Sequence, residues 1–209
     1  MLRFSLGFLL FLFSAGLKAE KPWQDSPQGP MLERIIPPGF EPAMLPEPRS
    51  RGARLTQRFC VQCHNLANPA MHDAARWPSV VARMVPRMEG KGNMGKLMSE
   101  MMAGVESPSA EETLAITAYL RKHGQRALDA EKLPEVNAPS AAPFRLACGQ
   151  CHVLPDPKRH SAKEWPAVVA RMQKNMEWMN RVVGSKPLPG EPQLKIEDIN
   201  AFLVRYARR

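Results

Sequence analysis

The chain has 209 residues, enough for one or two small domains, and its 29 basic and 20 acidic residues give a formal net charge of +9. A basic balance suits nucleic acid, an anionic membrane surface or an acidic protein partner. The sequence has no run of five or more basic residues, so we expect no nucleic-acid partner. Methionine is frequent, with 13 residues against two tyrosines, and its thioether can fill a core or ligate iron.

Residues 1–19 have the pattern of a secretory signal peptide. Arg3 supplies the positive charge, the stretch from Phe4 to Leu17 is almost entirely apolar, and Ala19 suits the last position before cleavage. The apolar stretch is short for a membrane span, which needs about 20 residues. Because Leu17 is bulky for its place before the cut, an uncleaved membrane anchor is the alternative. In both cases we expect the rest of the chain to lie outside the cytoplasm, in the periplasm.

Residues 20–50 are rich in proline and lack helical periodicity. Each proline fixes φ and removes a backbone donor, so the sequence predicts an extended segment. This segment either drapes over the first domain, which we expect at residues 51–126, or tethers it.

A Cys-x-x-Cys-His motif follows, and it occurs twice, from Cys60 to His64 and from Cys148 to His152. Two thiols at this spacing can each add to one vinyl group of a haem, which holds the adjacent histidine beneath the iron. This pentapeptide is the attachment signature of c-type haem. We therefore predict two covalently bound haems c. The thioether bonds would come from Cys60, Cys63, Cys148 and Cys151, and the proximal iron ligands would be His64 and His152.

Disulfide bonds and a zinc site are the alternative uses of four exported cysteines. Two disulfides would give no reason for a histidine after each pair. A four-thiolate zinc site would need both pairs in one place, although 88 residues separate Cys60 from Cys148. It would also leave both histidines unexplained, so the sequence favours haem.

The next segment reads as a helix in which Trp77, Val81, Met84 and Met88 recur at i, i+4, i+7 and i+11. These residues share one face, which is either an ordinary core stripe or the wall of a haem site. We expect Pro86 to break this helix.

An amphipathic helix is expected next, because Ser109 can cap its first turn and His123-Gly124 can stop it. Residues 127–142 follow, and their proline and alanine content is typical of a linker between domains. We therefore predict a second domain over residues 143–209, whose last helix begins near Glu197 and Asp198.

The two halves repeat one another. When the numbering is shifted by 88, Cys60–Met88 falls on Cys148–Met176 without a gap, and 16 of the 29 positions are identical. So dense a repeat indicates two copies of one unit. Neither copy shows an alternating strand pattern, so the predicted fold class is all-α with two tandem domains.

The sixth iron ligand should occur at equivalent positions in both copies. Three residue pairs meet this condition: Met84 with Met172, Met88 with Met176, and His72 with His160. Each of these histidines lies only eight residues past its proximal histidine, so we expect it to cap a helix or to bind a propionate. The pair Met84 and Met172 is the first choice, and the pair Met88 and Met176 is the second.

Other residues near these candidates have less specific roles. An arginine precedes each first-choice methionine, and Arg83 and Arg171 either pair with haem propionates or lie exposed. Met94, Met98, Met101 and Met102 have no methionine partner at the shift of 88, so we expect packing roles. Met101 or Met102 could instead serve the first haem alone.

The order of these features resembles the class I c-type cytochromes: the haem motif, a helix with Trp, Val and Arg-Met, then a terminal amphipathic helix. The run Trp-Pro-x-Val-Val-Ala-Arg-Met is similar to haem domains of quinohaemoprotein amine dehydrogenase and sulfite dehydrogenase cytochrome subunits. In such domains the position seven after the tryptophan holds Met or His, which implies Met84 and Met172. The resemblance covers residues 55–125 and 143–209. It departs from the commonest monohaem pattern, in which the methionine lies on a loop just before the last helix, because the second copy has no methionine after Met179.

These features predict a periplasmic dihaem c-type cytochrome that transfers electrons between redox proteins, such as a periplasmic dehydrogenase or oxidase. Methionine–histidine ligation would leave no open position on either iron, so we expect an electron carrier rather than an enzyme. The alternative is a haem subunit or enzyme in which one haem stays open, as in a dihaem peroxidase, or in which the chain accepts electrons from a dehydrogenase. Membrane contact is expected only if the signal is uncleaved. A sensor is disfavoured because the chain has no output domain.

Overall fold

The computed structural model describes Gln24, Pro27 and residues 29–91, 95, 96, 99, 102–184 and 195–209. Among these residues seven α-helices have defined ends and no strand occurs, which confirms the expected helical class. The predicted signal peptide lies outside the described residues, as do Met94, Met98 and Met101. The helices are α1 (Gly29–Ile35), α2 (Arg51–Cys60), α3 (Trp77–Met88), α4 (Ala110–Lys122), α5 (Ala142–Cys148), α6 (Trp165–Val183) and α7 (Ile196–Arg205). None of them is both long and apolar enough to span a bilayer.

Local sequence signals account for several of the helix ends. Helix α4 begins at a capping box, in which the Ser109 hydroxyl accepts from the Glu112 backbone and the Glu112 carboxylate accepts from the Ser109 backbone. Helix α3 passes through Pro86 and ends two residues later, at Met88. Helix α6 lacks a proline there and continues to Gly184, whose φ of 68° ends it in the left-handed conformation. Pro86 therefore shortens the first of these helices rather than splitting it.

The helices pack around two hydrophobic clusters. In the first cluster α4 packs against α2 and α3, and in the second cluster α7 packs against α5 and α6. The fully or nearly buried members of the first cluster include Ala53, Phe59, Trp77, Tyr119 and Leu120. Those of the second include Ala141, Phe144, Trp165, Phe202 and Leu203.

The proline-rich segment 20–50 is not extended throughout, because residues Gly29–Ile35 form α1 and Pro42–Met44 form a 3-10 turn. Pro30 stands in the first turn of α1, where a missing backbone donor costs nothing. Residues beyond α1 lie on the first cluster. The Phe40 backbone N–H donates to the Leu66 carbonyl at 3.1 Å, and Leu45 is buried. The segment therefore drapes over this cluster.

Residues 127–142 do not form a free linker. Two 3-10 turns, Pro134–Asn137 and Pro139–Ala141, fold this stretch against α5 and α7. Val136 and Ala141 are buried in the second cluster, with 2% and 0% of their surface exposed. Burial of these apolar side chains outweighs the extended tendency that the prolines suggest, so the stretch belongs to the second packing unit.

The same stretch turns out to be part of the repeat. At the shift of 88, Leu45-Pro46-Glu47 falls on Leu133-Pro134-Glu135. The backbone contacts agree, because the Leu128 N–H donates to the Leu154 carbonyl at 2.8 Å, as Phe40 does to Leu66. The repeat also reaches the terminal helices through a shift of 83, which aligns the buried residues Ile116, Tyr119 and Leu120 with Ile199, Phe202 and Leu203.

Candidate haem attachment sites

Each Cys-x-x-Cys-His motif begins on the last residue of a helix, Cys60 on α2 and Cys148 on α5. Burial raises the pKa of Cys60 to about 12, with a further increase from Cys63, and burial raises the pKa of Cys148 to about 11. All four thiols are free, and Cys151 is exposed. The first thiol of each motif therefore points into apolar surroundings, as thioether bonds to a buried ring would require.

The histidines of the two motifs have matched hydrogen bonds. His64 Nδ1 lies 2.7 Å from the Asn65 carbonyl oxygen, and His152 Nδ1 lies 2.8 Å from the Val153 carbonyl oxygen. A carbonyl oxygen only accepts, so Nδ1 must carry the proton. The neutral ring then presents its lone pair on Nε2, and a hydrogen bond of this kind orients and strengthens a metal-bound imidazole. In both side chains Nε2 is therefore the ring atom available to a metal ion.

A cavity of about 280 Å³ lies between the first motif and α3. This volume is near the lower end of ligand pockets, and the walls are mainly apolar side chains. Cys60 and His64 line one part, while Met84 and Met88 line another. The structure thus brings the first Cys-x-x-Cys-His motif and both candidate methionines to one cavity, whose apolar walls with cysteine, histidine and methionine side chains suit the chemistry of a haem. Both methionine assignments stay predictions.

A tryptophan side chain forms a hydrogen bond with the loop that follows each motif. Trp77 Nε1 donates to the Pro69 carbonyl and Trp165 Nε1 to the Pro157 carbonyl, each at 2.8 Å. Pro69 and Pro157 are themselves fully buried, so these bonds fix the loop backbone against the helices that carry the candidate methionines. The framework is the same in both repeats.

The histidines at the third candidate position pack against these tryptophans. The ring centroids of His72 and Trp77 lie 5.0 Å apart, and those of His160 and Trp165 lie 4.8 Å apart, both in edge-on geometry. Burial lowers the pKa of each histidine. The expected helix-capping role is wrong for His72, because Asp73 accepts the hydrogen bond from the Arg76 backbone before α3. His72 also lines the cavity.

The two arginines differ in their surroundings. Arg83 is exposed at the cavity, whereas Arg171 is half-buried and burial lowers its pKa. The Nε atom of Arg171 is buried and has no hydrogen-bond partner among the described residues. A carboxylate would satisfy such a donor, so Arg171 fits a haem propionate. The buried Nε1 of Trp178, seven residues further along α6, is likewise unpartnered in the described part of the chain, and sequence reasoning missed it.

Met102 lies beside the first motif. Its Sδ is 3.5 Å from Cys63 Sγ, and only 9% of the residue is exposed. Gln62 holds this segment by exchanging two hydrogen bonds with the Glu106 backbone, at 2.9 and 2.7 Å. The expected packing role of Met102 is consistent with this position.

The first cysteines of the two motifs pack against different clusters, Cys60 on the first and Cys148 on the second. Accordingly, the described residues contain no group of three or more His, Cys, Asp or Glu side chains placed to share a metal ion. Comparisons with protein-family models, curated protein sequences and solved structures find no match for this chain. The assignment of the sites therefore depends on the chain's own residues.

Proposed function

We propose that this protein is an exported dihaem c-type cytochrome that carries electrons between redox proteins of the periplasm. The observation that carries the proposal is the matched geometry of the two motifs. In each repeat a half-buried cysteine ends a helix, and the histidine is held through Nδ1 with Nε2 left for iron. Neither a disulfide nor a thiolate zinc site explains why a histidine with an available Nε2 follows each cysteine pair.

We propose further that each repeat folds as one cytochrome c-like domain of the class I type, with residues 127–142 assigned to the second domain. The separate clusters and the repeated contacts at the shift of 88 support this division. Each domain would then hold one haem between its attachment motif and its tryptophan-bearing helix.

The residues around each haem have distinct tasks. Haem c, when bound, supplies a one-electron iron couple. The cysteines would tether the ring, His64 and His152 would bind iron through Nε2, and the apolar walls would exclude water. Met84 and Met172 would supply the second iron ligand from each repeat, with Met88 and Met176 as the second choice. A thioether ligand raises the reduction potential relative to a second imidazole.

The test of haem attachment is the mass of the protein secreted by a host that matures c-type cytochromes. The chain should weigh two haems more than its polypeptide and should keep both in acid acetone. Replacing Cys148 and Cys151 by serine should remove one haem, and replacing Cys60 and Cys63 should remove the other. A secreted wild-type chain of bare polypeptide mass would refute the proposal. The same mass shows whether residues 1–19 have been removed.

The ferric spectrum tests the axial ligand and separates a carrier from an enzyme with an open haem. Met172→Ala should remove one haem's methionine-to-iron band at the red end and give a high-spin iron that binds cyanide or azide readily. Met176→Ala is the matched control and should keep the band. If the effects are reversed, the ligand is Met176. A wild-type spectrum that is already high-spin at one iron would favour the enzyme alternative.

A further inference from the structure

The two repeats are connected by residues 123–128, which we call the junction. On the first repeat, the Gln125 N–H donates to the His72 carbonyl at 2.7 Å, and Gln125 is only 8% exposed. The next residue already contacts the second repeat, because the Arg126 carbonyl accepts from the Asp156 N–H at 3.2 Å. The backbone therefore passes directly from a contact with the first repeat to a contact with the second.

The start of the junction lies against the loop that precedes α3. A Cβ at Gly124 would stand 2.9 Å from the backbone nitrogen of Ala74 and 3.1 Å from the carbonyl carbon of Asp73. Backbone atoms cannot move aside as the end of a flexible side chain can, so a glycine is needed for this close approach. The junction is thus seated directly on the first repeat.

Arg159 binds the junction from the second repeat. Its guanidinium donates to the Gly124 carbonyl at 2.9 Å and to the His123 carbonyl at 3.3 Å. These carbonyls lie just past the carboxyl end of α4, where unsatisfied acceptors and the helix dipole favour a cation. The arginine is half-buried, so its hydrogen bonds are partly shielded from competing water.

The backbone of Arg159 is itself fixed within the second repeat. The residue ends the 3-10 turn Pro157–Arg159, and its N–H donates to the Asp156 carbonyl at 3.0 Å. The Trp165 indole holds the same turn through its bond to the Pro157 carbonyl at 2.8 Å. The guanidinium therefore connects the end of α4 to a firmly held turn that follows the second Cys-x-x-Cys-His motif.

This contact is not part of the repeated fold. At the shift of 88 the equivalent of Arg159 is Met71, which is 38% exposed. The rest of the turn is shared, since Pro69 and Pro157 are both buried and both accept from a tryptophan indole. The turn thus folds with methionine at its end, so the arginine is not needed for the turn itself.

We propose that Arg159 locks the two repeats into one rigid body and so fixes the distance between the two Cys-x-x-Cys-His motifs. Rotation about the backbone between Gln125 and Arg126 would otherwise turn one repeat relative to the other. The two hydrogen bonds of Arg159 bridge that point, so such a turn has to break them. The inference rests on contacts of the polypeptide and is independent of the proposed function.

Trypsin cleavage of the secreted full-length protein tests the lock, because Arg126 is exposed and offers a cleavage site inside the junction. Cleavage needs a locally open backbone, so its rate reports how often the junction opens. Arg159→Met gives the second repeat the residue that the first repeat has. We expect cleavage after Arg126 to be about tenfold faster in this variant, since opening no longer breaks two charge-assisted hydrogen bonds.

Arg145→Met is the matched control. Arg145 also donates to backbone carbonyls, those of Val136 and Ala138, but both lie in the second repeat with it. This variant should keep the wild-type rate of cleavage after Arg126.

Residual dipolar couplings of the backbone amides, measured by NMR on the reduced protein, report the orientation of the repeats directly. In the wild type one alignment tensor should fit α2, α3 and α4 together with α5, α6 and α7, and in Arg159→Met the two sets should require different tensors. The wild-type measurement needs no variant. Two different tensors in the wild type, an unchanged cleavage rate in Arg159→Met, or an equal increase in Arg145→Met would each overturn the inference. Haem attachment is tested separately by the mass of the protein.

Discussion

Replacing Trp77 by phenylalanine tests whether the tryptophan holds the loop of the haem site or merely fills the core. The substitution keeps an aromatic ring but removes the indole N–H, which donates to the Pro69 carbonyl at 2.8 Å. Pro69 is fully buried, so its carbonyl loses its indole partner in a place that water does not readily reach. A buried acceptor left unsatisfied costs about 1–3 kcal/mol. The ring atoms that the core loses add about 1 kcal/mol, roughly the value of one buried methylene group.

We therefore expect Trp77→Phe to lower the free energy of unfolding by about 2–4 kcal/mol. Urea unfolding followed by circular dichroism measures this loss, and Trp165→Phe is the internal replicate because its bond to Pro157 has the same length of 2.8 Å. In a unit of 60–100 residues each kcal/mol lowers Tm by roughly 4–8 °C, so thermal unfolding should show it clearly. A loss well under 1 kcal/mol in both variants, or a loss in only one, would show that the shared loop framework is not what the tryptophans stabilise.

Three further predictions follow from the packing. Gly52→Ala should lower the free energy of unfolding by about 1–3 kcal/mol in urea. The new Cβ would stand 2.4 Å from Tyr119 Cβ and would force α2 and α4 apart. An unchanged urea midpoint would contradict this close approach of the two helices. Limited proteolysis should spare residues 127–142 in the folded protein, and early cleavage there would mean that Val136 is not buried in solution. Burial lowers the pKa of His72, His123 and His160, so the unfolded chain binds more protons than the folded chain as the pH falls. The free energy of unfolding should therefore be largest above pH 6.5 and should decline as the pH falls through the lower folded-state pKa values of these histidines. An increase in stability on acidification from pH 6.5 would refute this prediction.

Features that depend on neighbouring residues in the chain could be predicted from the sequence. The capping box at Ser109 and the stop at His123 set the ends of α4, which runs from Ala110 to Lys122 as expected. The stripe from Trp77 to Met88 lies on one helix, with Trp77 buried and both methionines at the cavity. Helix periodicity and capping act over a few residues, so a single sequence is enough to reveal them.

The limits of the repeat were harder to predict, because only a few apolar positions mark its first part. Leu45 and Leu133 are equivalent, but they stand among prolines that suggest coil. Their shared role becomes visible only when both are seen packed on their clusters. The supposed linker is therefore structured by burial, which depends on partners distant in the chain.

The sequence by itself determined the chemistry available to this protein: two Cys-x-x-Cys-His motifs, in two copies of one helical unit. Covalent reactivity and spacing belong to the residues themselves. Only the tertiary structure decided what faces the first motif, because the wall formed by Met84 and Met88 depends on helix packing. It also decided that Arg159 binds the end of α4, a contact across 35 residues that no local pattern encodes.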